Sequence, residues 1–258
     1  MALDTAVSSR LRVYWQPHCS SCAFVKQFLT RNGVDYESIN VLEHKNAYDD
    51  MRAIGARSVP IVARGDKFVY AQSIADVAAF VGLAPTSFGL APAVLIERGE
   101  TILAASERYV RQLPEALLAT EMPNRPNRTY RILAHHAFNV VETFLEALGG
   151  DVLTYETLVR PPPGEMHSSA QIADYGHDIR GRFLTWWRAS ADRNGVAPMN
   201  TYYGEKPMRE VLLRTVSHAG QHSRQLAALL HMNGIAPNQA LPDSVYDGLL
   251  VAEDALDR

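Results

Sequence analysis

Two patterns of apolar and polar positions divide the chain. Between Arg12 and residue 83, short apolar runs alternate with helically spaced ones. Arg12-Val-Tyr-Trp15 is a β-rich run that breaks at Pro17. Ala23-Phe-Val-Lys-Gln-Phe-Leu29 has helical spacing and is stopped by Asn32-Gly33. Tyr36 to Val41 alternates as a second strand, and Lys45 to Ile54 follows as a helix. Val59 to Ala63 reads as a strand, Gly65-Asp66 as a turn, Lys67 to Tyr70 as a strand, and Ile74 to Val81 as a helix ending at Gly82. The order βαβαββα predicts one sheet with helices on its faces.

Beyond residue 90 the spacing becomes helical throughout. A first block runs from Pro92 through Leu95, Ile102, Leu103, Tyr109 and Val110, bends at Pro114 and continues to Leu118. A second spans Thr129 to Leu148 and stops at Gly149-Gly150. A third spans Gln171 to Ala191, with Ile172, Tyr175, Ile179, Phe183 and Trp187 as its stripe. A fourth runs from Pro207 to Leu230 through Val211, Thr215, Ala219, Leu226 and Leu229, with Gly234 just past its end. Four long amphipathic helices predict a bundle, in which sites are built from inward side chains. The tail, Pro237 to Arg258, is expected to pack over one end. Residues 84–90 mix Pro, Gly, Thr and Ser without period and read as a linker. The expected fold class is therefore α/β plus all-α: a domain over 1–83, a linker over 84–90 and a four-helix bundle over 91–258.

Composition narrows the partners. The chain has 258 residues, 47% hydrophobic and 21% charged, ordinary for a globular protein, and a formal net charge of -3. That charge argues against nucleic acid or an anionic membrane as the main partner. No apolar run approaches the ~18 residues needed to span a bilayer. Met1 to Arg12 lacks an apolar core and a small-residue cleavage site, so no signal peptide is expected and the setting reads as cytoplasmic.

The only two cysteines are Cys19 and Cys22, too few for a disulfide framework. A Cys-x-x-Cys between a strand and a helix has its own chemistry. The helix N-terminus stabilises the thiolate of Cys19, which attacks a substrate disulfide; Cys22, one turn on, resolves the mixed disulfide. A zinc reading competes, but a four-cysteine site is impossible here. This half resembles the glutaredoxins, and among them the small ribonucleotide-reductase-type redoxins. The resemblance runs from Arg12 to Leu83 and rests on Cys19–Cys22, on Val34-Asp-Tyr-Glu-Ser-Ile-Asn-Val41 and on Ser58-Val-Pro60. It implies a thioredoxin-like fold, a cis bond at Pro60 and a Val59-Pro60 backbone that pairs with the substrate. Where glutathione-binding members carry Gly-Gly after the last strand, this chain has Ala71-Gln72.

Two histidines interrupt the buried stripe of the fourth helix. His218 and His222 stand one turn apart, with Cβ atoms about 6 Å apart. Such a pair serves either as hydrogen-bonded core residues or as two ligands of one ion; a third ligand decides. The second helix offers His135 and His136. With Val140 at zero and about 100° per residue, the apolar residues fall between about 0° and 80°, His136 near -40° and His135 near -140°. His136 is the ligand candidate and His135 the solvent-facing one. His18, His44, His167, His177 and His231 read as surface or packing residues. Arg214 and Arg224 flank the pair and are candidates to hold a carboxylate of a thiol cofactor or substrate. Tyr175, Trp186, Trp187, Tyr202 and Tyr203 are candidates for core or pocket walls.

This half resembles the DinB-like superfamily of four-helix metalloproteins, on Ile132-Leu-Ala-His-His136 and on Arg214-Thr-Val-Ser-His-Ala-Gly-Gln-His-Ser-Arg-Gln-Leu226. The superfamily includes thiol-dependent transferases and maleylpyruvate isomerases. The resemblance implies that His136, His218 and His222 bind a divalent metal, zinc or nickel, leaving open positions. The expected function is a thiol-disulfide oxidoreductase fused to a metal-dependent thiol transferase, using glutathione or another small thiol on an electrophile or disulfide. A reductase for the dithiol and a homodimer are further partner expectations. Two other readings stand beside it: a redoxin with a non-catalytic, metal-stabilised binding module, and a thiol-dependent isomerase using the same metal site.

Overall fold

In the computed structural model, which describes residues 10–84, 89–123, 125–252 and 255–256, the first strand is the hub of a small mixed sheet. β1 (Arg12–Trp15) pairs in parallel with β2 (Glu37–Asn40), Tyr14 facing Ile39, and antiparallel with β3 (Ile61–Arg64); β3 pairs antiparallel with β4 (Lys67–Tyr70). The order is β2-β1-β3-β4. Parallel neighbours need a crossover, and α1 (Ser20–Arg31) supplies it. α2 (Ala47–Ala53) and α3 (Ile74–Val81) complete the unit. α3 starts where the Ser73 hydroxyl accepts the Asp76 N–H at 3.2 Å and ends at Gly82 in the left-handed region (φ 78°). Tyr14, Cys22, Met51 and Ile61 are fully or almost fully buried in one cluster. The third strand begins at Ile61 rather than Val59, because Pro60 has no N–H to give the ladder.

The described residues divide into two compact units, the second being Gly89–Leu256. Its four long helices are α4 (Pro92–Gln112), α5 (Tyr130–Leu148), α7 (Ser169–Ala189) and α8 (Met208–Met232); α6 (Tyr155–Leu158) is a single turn. α4 and α5 each pack against both α7 and α8, so each pair occupies a diagonal of a four-helix bundle. Leu95, Ile102, Leu133, Phe144, Ile179, Phe183 and Leu226 are wholly buried in its core. Gly176 lets α7 approach α5: a Cβ there would run into the Phe138 ring. Thr129 caps α5 by accepting the Ile132 N–H at 3.3 Å, and a Ser168–Gln171 capping box starts α7. Among the described residues no helix is long and apolar enough to cross a membrane.

Three expectations need correction. The first helix does not bend through Pro114. It ends at Gln112, Leu113 is extended as a residue before proline tends to be, and Glu115–Leu117 forms a separate 3-10 turn. The tail does not pack over one end but runs along α4 and α8. Gln112 binds the Ala236 carbonyl, Arg108 those of Asn238 and Gln239, and Arg98 that of Ser244; Leu250 N–H then reaches the Ser217 hydroxyl on α8. The second unit is also not purely helical. β5 (Glu121–Met122) pairs with β6 (Arg125–Thr129) just before α5, and β7 (Pro198–Thr201) with β8 (Gly204–Pro207) just before α8. Each hairpin leads into a helix that carries histidines. Residues 1–9 and 85–88 lie outside the described residues, and with them most of the segment read for a signal peptide and most of the linker.

Candidate functional site

In the first unit Cys19 is the N-cap of α1, with extended backbone (φ -100°, ψ 107°) and no side-chain capping bond. Its carbonyl accepts the N–H groups of Cys22 and Ala23 at 2.9 and 3.1 Å, so the motif forms the first helical turn. Cys19 and Cys22 are joined in a disulfide with Cα atoms 5.2 Å apart. Cys22 is wholly buried and Cys19 half-buried, so Cys19 is the sulfur an incoming thiol can reach. The Val59–Pro60 bond is cis, and Val59 lies in the same apolar cluster as Cys22. The Ala71-Gln72 pair braces this corner. Ala71 N–H donates to the Pro60 carbonyl at 3.0 Å and the Gln72 side chain to the Val59 carbonyl at 3.4 Å.

In the second unit His136, on α5, meets His218 and His222, on α8. Ring centroids are 5.2 Å apart for His136–His218, 4.8 Å for His136–His222 and 4.6 Å for His218–His222. One nitrogen from each ring lies within 4.8 Å of the others. The Gln225 side-chain oxygen, one turn beyond His222, sits 2.7 Å from His222 Nδ1. An amide oxygen only accepts, so Nδ1 holds the proton and Nε2 keeps its lone pair. That Nε2 is buried without a hydrogen-bond partner, as is His218 Nδ1. Buried nitrogens left unpaired at the meeting point of three imidazoles are what a divalent ion needs, and three nitrogen donors suit zinc or nickel. Burial holds all three pKa values far below the ordinary histidine value, His222 at about 3, so the rings stay neutral and able to ligate.

The charges around the triad share one sign. Arg128 acts on all three imidazoles, Arg125 on His136 and His222, and Arg214 on His218. Arg214 is 7% exposed, with its Nε unpaired and its guanidinium 5.5 Å from the Tyr203 ring. Arg224 turns instead to the tail, donating to the Ala252 carbonyl and lying 5.6 Å from the Tyr246 ring. The sequence reading missed Arg128, whose only signal was a basic side chain next to the Thr129 cap, two turns before His136. His135 is a correction. It is 2% exposed rather than solvent-facing, because α7 covers that side of α5 and stacks Tyr175 on it at 5.0 Å. Tyr175 in turn donates to Glu142 at 2.8 Å.

Residues 11–69 match the glutaredoxin family model. The glutaredoxin-like protein NrdH of Escherichia coli K12 is 35% identical over 57 residues, 22% of this chain and 70% of that protein. The gene 56 protein of mycobacteriophage L5 is 39% identical over 51 residues, 19% of this chain and 50% of its own length, so the chain spans half of that relative. The matched stretch holds the strand, the helix-capping cysteine pair and the cis proline. Through this thiol redox domain the chain belongs to the glutaredoxin family.

Proposed function

We propose that the chain is a thiol-disulfide oxidoreductase joined to a DinB-like, metal-dependent thiol S-transferase, both halves acting on a small thiol such as glutathione in the cytoplasm. In the first half the reduced Cys19 thiolate attacks a substrate disulfide, forming a mixed disulfide and releasing one thiol. Cys22 then loses its proton and attacks the Cys19 sulfur, releasing the second thiol and leaving the Cys19–Cys22 disulfide; a dithiol reductase returns two electrons and two protons. The backbone of Val59 and Pro60 is proposed to align the incoming disulfide chain.

In the second half His136, His218 and His222 would hold a zinc or nickel ion. Such an ion, when bound, supplies Lewis acidity that keeps a coordinated thiol as thiolate at neutral pH. Gln225 fixes the His222 tautomer, and the apolar surroundings keep the rings unprotonated. Arg214, one turn before His218, is proposed to hold an anionic group of the ligand. The observation that carries this reading is the convergence of three neutral imidazoles, two of them, His218 and His222, with an unpaired buried nitrogen.

The test is turnover of glutathione with a panel of electrophiles, with and without chelator, in wild type and His218→Ala. Transferase turnover is expected to vanish with the metal while Cys19-dependent disulfide reduction persists. Transferase turnover that survives removal of the metal refutes the proposal.

A further inference from the structure

Two turns before His136, at the end of the hairpin strand that feeds α5, Arg128 is half-buried without a counter-ion among the described residues. Its Nε and Nη2 are closed off from solvent and have no hydrogen-bond partner, and no carboxylate pairs with it among the described residues. The Nε and Nη2 groups carry three of the guanidinium's five N–H donors, and leaving those three shut off from water without a partner is unfavourable. A fold keeps such a group where something from outside completes it. Apart from one another, the three imidazoles feel chiefly the guanidiniums of Arg125, Arg128 and Arg214, so a bound divalent ion would deepen the positive excess.

The surroundings outline where that partner lies. Tyr155 faces Arg128 electrostatically; its ring is 6.0 Å from that of Tyr202, which is 5.1 Å from that of Tyr203, over which Arg214 lies. A run of tyrosine rings thus leads from the buried Arg214 to Tyr155, whose charge acts on Arg128. Neutralising an ion with two or more positive charges and two guanidiniums takes more than one thiolate. The planar fork of Arg128 pairs bidentately with an oxyanion, and a carboxylate is the oxyanion that a small thiol such as glutathione carries.

We propose that Arg128 anchors a carboxylate subsite beside the three-histidine cluster, so that the small thiol taken there is a carboxylated one. This rests on the metal-thiol reading above and adds the ligand's charge and the residue that reads it. Burial draws the Arg128 pKa down to about 9, which leaves it charged at neutral pH.

The experiment uses the full-length protein loaded with cobalt and follows its visible spectrum on titration with 3-mercaptopropionate and with 2-mercaptoethanol, which differ in the carboxylate. A parallel calorimetric titration with succinate asks whether a carboxylate binds without a thiol. Wild type is expected to bind 3-mercaptopropionate at least about tenfold more tightly, the equivalent of about 1.4 kcal/mol. Arg128→Gln should lose that preference while keeping its cobalt and its affinity for 2-mercaptoethanol. Arg128→Lys, which keeps the charge without the fork, should retain part of it. Arg128→Gln is also expected to melt no lower than wild type when ligand-free, because it removes an unpaired, half-buried charge.

Equal affinities for the two thiols in wild type overturn the carboxylated thiol, and overturn the subsite as well unless succinate binding needs Arg128; a preference unchanged in Arg128→Gln overturns the subsite outright. A drop of many degrees in the ligand-free melt also overturns it, because the guanidinium would then be structurally paired. Should Arg128→Gln not fold, that counts against the proposal in the same way. Succinate binding that needs Arg128, with the two thiols alike, supports the subsite and moves the carboxylate to the second substrate. If no thiol changes the cobalt spectrum, the metal-thiol reading fails by itself, and Arg128-dependent succinate binding still decides the subsite.

Discussion

The cysteine pair and the histidine triad, for which we propose the same kind of chemistry, the handling of thiolates, are built by opposite constructions. Cys19 and Cys22 belong to one helical turn, and a local helix end positions and polarises them; the rest of the unit contributes mainly the cis Val59–Pro60 corner. The triad has no local existence. His136 and the His218–His222 pair lie on separate helices, and the packing of α5 against α8 brings them together in a place dry enough to keep them neutral. A site within one turn survives any change that spares the turn, whereas a site spanning two helices depends on the packing of the whole bundle.

The largest expected effect separates the two sites. Cys19→Ser should cut reduction of a small disulfide at least about a hundredfold while leaving metal content unchanged; a similar cut from His218→Ala would erase the distinction. Next, His222→Ala should lower metal content from about one ion per chain to a small fraction, read by elemental analysis after dialysis, since two remaining imidazoles hold an ion poorly. Gln225→Leu keeps all three ligands but frees the His222 tautomer, and metal affinity should fall about ten- to a hundredfold, measured by chelator competition.

Packing gives a smaller effect. Gly176→Ala drives a methyl into the Phe138 ring and should destabilise the bundle by about 1–3 kcal/mol in chemical denaturation, with disulfide exchange by Cys19 unchanged. The smallest effect lies at the tail. Burial raises the Tyr246 phenol from its ordinary 10 to about 12. The folded chain therefore holds that proton to higher pH than the unfolded chain. Tail stability is complete below pH 10 and lost as pH rises from 10 through about 12. The alkaline limb of a melting-temperature profile should flatten in Tyr246→Phe.

Much of this plan was readable along the chain. The alternation of short runs predicted the redoxin strands and helices in order, because strand and helix faces repeat with different periods. The phase of α5 chose His136 over His135 for the inner face. The same phase misjudged His135, since a bundle helix is covered on more than one side and the pattern does not say how wide the covered arc is. The two hairpins escaped notice because β5 is two residues long and the other three strands four or five, and Pro126, Pro198 and Pro207 interrupt them.

The sequence by itself determined the dithiol motif, the break between a mixed α/β half and a helical half, and the helix faces on which the histidines stand. Only the tertiary structure decided that three of those histidines meet, that Arg128 acts on them with its Nε and Nη2 shut off from solvent and no counter-ion among the described residues, and that Arg224 serves the tail. Periodicity specifies which way a side chain points from its own element; what it meets there depends on contacts between distant segments.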